Sequence, residues 1–474
     1  MATLTFLKVN APSNAEVDHN NRGEKQMKAQ RTMRARTMKS VSLLAIAALG
    51  VAACGSSKKS VDTTTTVKSV ASTASPTTAA STAASTAGST AASSDVPKVT
   101  TGAPAASSDV PAASSDVPKA GVTCDKTKAP ATLTKVKLQL QWFTQAQFAG
   151  YYAAVDQGCY AEQGLDVSII EGGTDIVPQT VLADGQADFA IAWVPKALAS
   201  REAGADIVDI AQVYQRSGTL QVSMKSKNIT TGADFKGKKI GNWGFGNQYE
   251  IFADLAKNSL TTKDVTLLAQ QFDMSGLLSG DIDAAEAMTY NEYAQVLETK
   301  NPATGKLFVP GDLNVVSYEK EGVGMLQDAI WADGKKLASD AAYKATAVKF
   351  VTASLKGWSY CRDNATSCRD IVVAKGSKLG AVHQLWQMNE VNKLVWPATG
   401  GVGHIDTDAW NRTVKIALGT PDDTGAKIIT KDPGTAAQTN DITDAALTEL
   451  KKEGVDVNGS GFTPLTVTLT AGGS

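Results

Sequence analysis

The sequence predicts an α/β protein of two lobes joined by a two-strand hinge. Two observations carry this. From residue 136 onward, stretches that alternate apolar and polar residues take turns with stretches of helical spacing, the order that builds a sheet covered by helices. The alternation then restarts after Met224 and gives way to helical patterning near 322–330. The centre of the chain therefore reads as an α/β insert in a larger α/β domain, and an insert crosses between lobes twice.

The elements follow in order. Val136, Leu138, Leu140 and Trp142 alternate with Lys137, Gln139 and Gln141 and read as a strand. Phe148, Tyr151, Tyr152 and Val155 come next at the i, i+3, i+4, i+7 spacing of one helix face. Gly158 and Gly164 punctuate before a second strand over 165–170. The turn at 171–174 leads into a helix over 176–183. A third strand, 188–193, is apolar almost throughout, and Pro195 suits the first turn of the helix after it. Beyond Met224, 238–241 reads as a strand end, 249–259 as a helix, and 265–269 and 284–288 as strands. Helical patterning then dominates to about 417. The expected lobes are 121–223 with 326–474, and 224–325, with parallel sheets.

The 474 residues are 43% hydrophobic and 20% charged, with a net charge of −1, so no basic field argues for nucleic acid. The charge is uneven: residues 1–40 carry +5 and the rest −6. Arg31, Arg34, Arg36 and Lys39 precede an uncharged apolar run over 41–53. As a helix it would reach ~20 Å, too short for a hydrocarbon core of ~30 Å. It ends in Val51-Ala-Ala-Cys54, an order similar to the bacterial lipobox, in which the cysteine carries lipid. Residues 1–53 are thus read as leader and signal peptide, Cys54 as the lipidation site, and 54–120 as a disordered Ser/Thr/Ala/Pro tether. Within that tether Ala-Ala-Ser-Ser-Asp-Val-Pro occurs at 91–97, 105–111 and 112–118.

Setting Cys54 aside leaves Cys124, Cys159, Cys361 and Cys368, an even number suited to an oxidising compartment. Cys361 with Cys368 is the natural local staple, which would leave Cys124 to Cys159; three connectivities are open. With three histidines and no CxxC, no metal site is expected.

Four segments carry a resemblance: Leu138-Gln-Leu-Gln-Trp142, Gly150-Tyr-Tyr-Ala-Ala154, Gly164-Leu-Asp-Val167 and Asp184-Gly-Gln-Ala-Asp-Phe189. They resemble the substrate-binding proteins of ABC importers, in the branch that binds thiamine pyrimidine precursors, aliphatic sulfonates and nitrate. Segments 145–152, 172–178, 211–218, 241–247, 271–274 and 287–293 are most similar to the riboflavin-binding lipoproteins of that branch. The resemblance implies a type II periplasmic-binding-protein fold and a transported ligand, riboflavin, rather than a cofactor. It also implies a membrane permease as partner and a monomer anchored by lipid outside the cytoplasmic membrane. A pyrimidine synthase of the same family carries a CCCGC motif, and this sequence has none.

In such folds ligands sit where loops leave the carboxyl ends of strands. Those loops supply aromatic faces at Trp142, Tyr151, Trp193, Trp243, Phe245 and Tyr290. They supply hydrogen bonds at Gln145, Gln147, Asn247, Glu250, Asn291 and Glu292. Flat faces with edge-reading amides suit a planar heterocycle; a sulfonate or nitrate would want convergent cations and backbone donors. Arg216 is a candidate holder of an acidic group. Plainer readings stand beside these. Tyr151 and Tyr152 have the spacing of core residues, and Glu250 and Glu292 have the spacing of capping boxes. His383 and His404 are read as structural.

Overall fold

The computed structural model describes residues 122–422 and 424–473. The leader, Cys54 and the whole of the tether lie outside them. Strand β1 (Thr134–Gln139) buries Val136 and Leu138 and exposes Lys135 and Lys137, as alternation requires. It pairs in parallel with β2 (Leu165–Ile170), Leu138 opposite Ile169, and on its other side with β3 (Phe189–Ala192). Every residue of β3 is buried, which explains its continuous apolar run. Strand β4 (Ile207–Gln212) completes one edge, and β10 (Ala329–Asp333) enters between β3 and β4, antiparallel to both. The first sheet has the order β2-β1-β3-β10-β4.

The second sheet repeats this plan. It is built from β5 (Thr219–Met224), β6 (Lys239–Asn242), β7 (Thr266–Ala269), β8 (Ala284–Met288) and β9 (Leu313–Ser317), in the order β7-β6-β8-β5-β9, with β5 antiparallel to β8 and β9. Both sheets are mixed, where parallel sheets were expected. The reversed strand in each is the one that follows a crossing: the chain enters from the hinge side and runs against its neighbours. Strands β5, β9 and β10 are absent from the sequence reading.

Lobe limits move accordingly. Because β5 lies in the second sheet, the first crossing occupies 213–218, not the boundary at 223/224; the second occupies 323–328. The crossings run side by side, with Tyr214 N donating to Asp328 O (3.1 Å) and Gly218 N to Gln327 Oε1 (2.9 Å). The chain's end was expected in lobe one. It returns instead to lobe two, where Leu469 packs on the core and Gly472 N donates to Glu298 O (3.1 Å).

Helices that place the site are α1 (Ala149–Asp156), α2 (Pro178–Ala183), α3 (Val194–Glu202), α4 (Tyr249–Lys257), α5 (Glu292–Leu297), α6 (Ala341–Asp363), α7 (Ala365–Ala374) and α8 (Ala381–Val395). Asp340 caps α6, accepting from the backbone of Ala342 and Tyr343. α6 crosses α1 at glycines: a Cβ on Gly357 would lie 2.0 Å from Gly150 O. Phe189 stacks on Phe350 in this core, ring centroids 4.3 Å apart. Disulfides join Cys124 to Cys159, and Cys361 at the end of α6 to Cys368 in α7. Among the described residues, no helix is long and apolar enough to cross a membrane.

Candidate ligand cleft

Between the sheets opens a cleft of about 910 Å³, open solvent included. Its base is organised by Asp328, the last residue of the second crossing. Gln147 Nε2 donates to Asp328 Oδ1 (2.9 Å) and Trp193 Nε1 to Oδ2 (2.8 Å). Gln145 Nε2 in turn donates to Gln147 Oε1 (2.7 Å). One buried carboxylate thus fixes an indole and two amides from separate loops. Burial pushes its pKa up to about 6, against the lowering effect of those hydrogen bonds.

Lobe two supplies the facing wall. Where β6 ends, Trp243 N donates to Glu286 Oε2 (2.9 Å) and its indole Nε1 to Gln271 O (3.2 Å). Glu286 is fully buried, its other oxygen has no partner, and burial pushes its pKa up to about 8. Where β8 ends, Tyr290, Asn291 and Glu292 line the cleft. Glu292 accepts from Met288 N (2.9 Å) and from Asn291 Nδ2 (2.7 Å). His383, on α8, bonds Asn291 Oδ1 through Nε2 (2.9 Å) and Glu298 through Nδ1 (2.9 Å). Burial raises the Glu292 pKa to about 7.

Lys196, in the first turn of α3, links the walls. It donates to Asn247 Oδ1 (2.7 Å) and lies 4.6 Å from the centre of the Trp193 ring. Burial lowers its pKa to about 8, opposed by the charges of Glu286 and Asp328. Among the described lining residues Lys196 is the one cation and Glu292 the one carboxylate. Apart from the Thr174 hydroxyl and the Met288 thioether, the remaining surface is aromatic, amide or aliphatic.

Of the residues singled out in the sequence, the cleft brings together Trp142, Gln145, Gln147, Trp193, Trp243, Phe245, Asn247, Tyr290, Asn291 and Glu292. Three others lie elsewhere. Tyr151 is a core residue, edge-on to Trp358 with centroids 5.6 Å apart. Arg216 donates to the carbonyls of Lys393, Trp396 (2.9 Å) and Pro397 (2.7 Å); it satisfies and charge-complements the end of α8. Glu250 accepts from Met325 N (2.6 Å) and Ser217 Oγ (2.9 Å), so it braces both crossings against α4. The capping-box readings also give way, since neither α4 nor α5 has a side-chain cap.

Sequence reasoning missed Asp328 and Lys196. Asp328 precedes a strand that was not seen and belongs to no motif. Lys196 was within reach: it follows Trp193 by three residues and sits beside the Pro195 that marks a helix start.

The model of the NMT1/THI5-like family matches residues 145–366. A riboflavin-binding protein, RibY, of Chloroflexus aurantiacus is 26% identical over 304 residues, 60% of this chain and 82% of the relative. A formylaminopyrimidine-binding protein of Halalkalibacterium halodurans is 22% identical over 243 residues, 51% of this chain and 70% of the relative. A 4-amino-5-hydroxymethyl-2-methylpyrimidine phosphate synthase of Legionella pneumophila is 26% identical over 124 residues, 26% and 39% of the two chains. The first three curated relatives are matched over 60% to 82% of their length. Among solved structures, the periplasmic sulfonate-binding protein SsuA of Methylobacillus flagellatus superposes with a TM-score of 0.50. It is 16% identical and covers 71% of this chain and 99% of its own. The two-lobe fold is that of the periplasmic binding proteins.

Proposed function

We propose, on the match of residues 145–366 to the NMT1/THI5-like family, that the chain is the solute-binding protein of an ABC importer and captures riboflavin or a related flavin. The observation that carries this reading is the lining of the cleft. Indoles at Trp142, Trp193 and Trp243 and the Tyr290 ring are interleaved with Gln147, Asn247 and Asn291, and one lysine is already engaged by Asn247. Aromatic faces stack on a flat ring system and amides read its edge. A sulfonate would meet one cation and, in Glu292, a group whose ionised form repels it. Closure gains stability only from contacts that the ligand makes to both lobes, and this cleft offers them from both.

Binding without chemistry is the second half of the proposal. The synthases among the relatives keep an enzyme in view. Here every cysteine among the described residues is spent in a disulfide, and the sequence has no CCCGC motif. The experiment is an absorbance spectrum of the purified protein after incubation with riboflavin and removal of excess, followed by denaturation. Yellow protein that releases unaltered riboflavin supports a binder. Colourless protein contradicts the ligand, and an altered flavin contradicts the absence of catalysis.

Lipid anchoring at Cys54 and docking to a membrane permease complete the proposal. Cys54→Ser should move the protein from the membrane fraction to the soluble one with ligand binding retained. A Cys54→Ser protein that stays with membranes contradicts the anchor.

A further inference from the structure

The base of the cleft carries its amides and carboxylate among aromatic rings (Trp193, Trp243 and Tyr290), and its mouth is mainly apolar. Its buried lining includes Gln147, Asn291 and Glu292, whereas its exposed lining includes Ile176 and Val177 from lobe one and Phe245 and Phe272 from lobe two. Trp142 and Phe272 meet across the opening, centroids 4.7 Å apart. Phe245 stands out. It is 85% exposed, the most exposed large apolar side chain among those described. Its φ is +54°, between Gly244 at +71° and Gly246 at +86°.

A phenylalanine in the left-handed region is strained, because its Cβ crowds the carbonyl that follows. Exposing the ring adds a hydration cost. The loop is nonetheless pinned: Asn247 N and Nδ2 both donate to Gly244 O (3.0 and 2.9 Å), and Gly246 N donates to Gln248 Oε1 (2.9 Å). Gly246 packs close to Lys196, where a Cβ would lie 3.1 Å from Cγ. Two unfavourable features held by a rigid loop at the rim of a cleft point to a function met only with an occupant.

We infer that Phe245 is a specificity-determining residue that covers the apolar end of the ligand, with Ile176 and Val177 on the opposite side. The cleft then selects elongated fused-ring heterocycles, polar edge inward and apolar ring at the mouth, over single-ring pyrimidines too short to reach the rim. This rests on the flavin reading above and adds an orientation and a length to it.

The test is affinity of the wild-type protein, Phe245→Ala and Phe245→Leu for three probes: riboflavin, lumichrome and 4-amino-5-hydroxymethyl-2-methylpyrimidine. Lumichrome has the fused rings without the sugar-alcohol chain. The ring is exposed, so melting temperature should hold in both variants. Phe245→Ala should weaken riboflavin and lumichrome by about 5- to 50-fold, the scale of a lost stacking contact. Phe245→Leu should recover part of that, and the wild type should bind the single-ring pyrimidine more weakly than either. Unchanged flavin affinity in Phe245→Ala overturns the inference alone, including when import into cells falls, which would assign the ring to the permease. A wild-type protein that binds the single ring but neither flavin overturns the inference and the flavin reading together.

Discussion

Lys196 Nζ donates to Asn247 Oδ1 across the cleft at 2.7 Å. The lysine stands on lobe one and the asparagine on lobe two, so this bond exists only while the lobes are close. With Trp142 against Phe272, it holds a closed arrangement whose ligand contacts come from both sides.

Lys196→Met should therefore weaken ligand binding by about three- to tenfold, the worth of one partly exposed hydrogen bond. The lowered pKa adds a pH signature. As pH rises through about 8 the lysine loses its charge, and the bond loses its charge assistance. Wild-type affinity should fall over that interval, and Lys196→Met should remove this contribution to the fall. Isothermal titration between pH 6.5 and 9 checks both. Equal affinities at pH 7 would show that the bond does not contribute to closure.

Glu286 makes stability depend on pH. Its folded pKa, about 8, lies above the ordinary value of 4.5, so the folded protein holds this proton more tightly than the unfolded chain. Its stabilising contribution is complete below about pH 4.5 and is lost as pH rises through about 8. Glu250 and Glu292, raised to about 7 in the same way, share this direction. Glu286→Gln keeps an acceptor for Trp243 N and cannot ionise. Its melting temperature should match the wild type near pH 5, exceed it at pH 8.5, and slope less between. Thermal melts across that range measure this; parallel curves would contradict it.

Asp328→Asn tests the organiser of the base. The variant has one acceptor where the carboxylate had two, so either Gln147 Nε2 or Trp193 Nε1 faces an amide donor. Loss of a hydrogen bond to a buried carboxylate is worth about 1.5–3 kcal/mol, or roughly a 10- to 150-fold rise in Kd if the loss falls on the bound state. Titration should show that rise, while Arg216→Lys, remote from the cleft, should leave Kd unchanged. An Asp328→Asn protein with wild-type affinity would remove Asp328 from the site.

Legibility in the sequence followed local physics. β2 and β8 stand where periodicity placed them, since alternation and continuous burial are properties of one strand. β10 was invisible because its neighbours, β3 and β4, lie on the far side of both crossings, and β5 because it pairs with β8 and β9, which come much later in the chain. The same division holds in the cleft. Trp193, Trp243 and Asn291 sit on loops that leave strands, and strand ends are readable. Asp328 acts through Gln147 and Trp193, more than a hundred residues away in sequence. Arg216 and Glu250 show the converse error: polar residues near a readable turn were assigned to a ligand, although helix ends and crossings also need partners.

The flat-heterocycle account is tested most directly by titrating riboflavin into the purified protein while following tryptophan fluorescence. Trp142, Trp193 and Trp243 line the cleft, so a stacked isoalloxazine should quench emission to a saturable limit, and Trp243→Ala should weaken binding by roughly 5- to 150-fold with a substantial part of the quenching lost. Emission unmoved by riboflavin, in a protein that binds taurine or nitrate, would contradict the account, because neither of those ligands has a ring to stack.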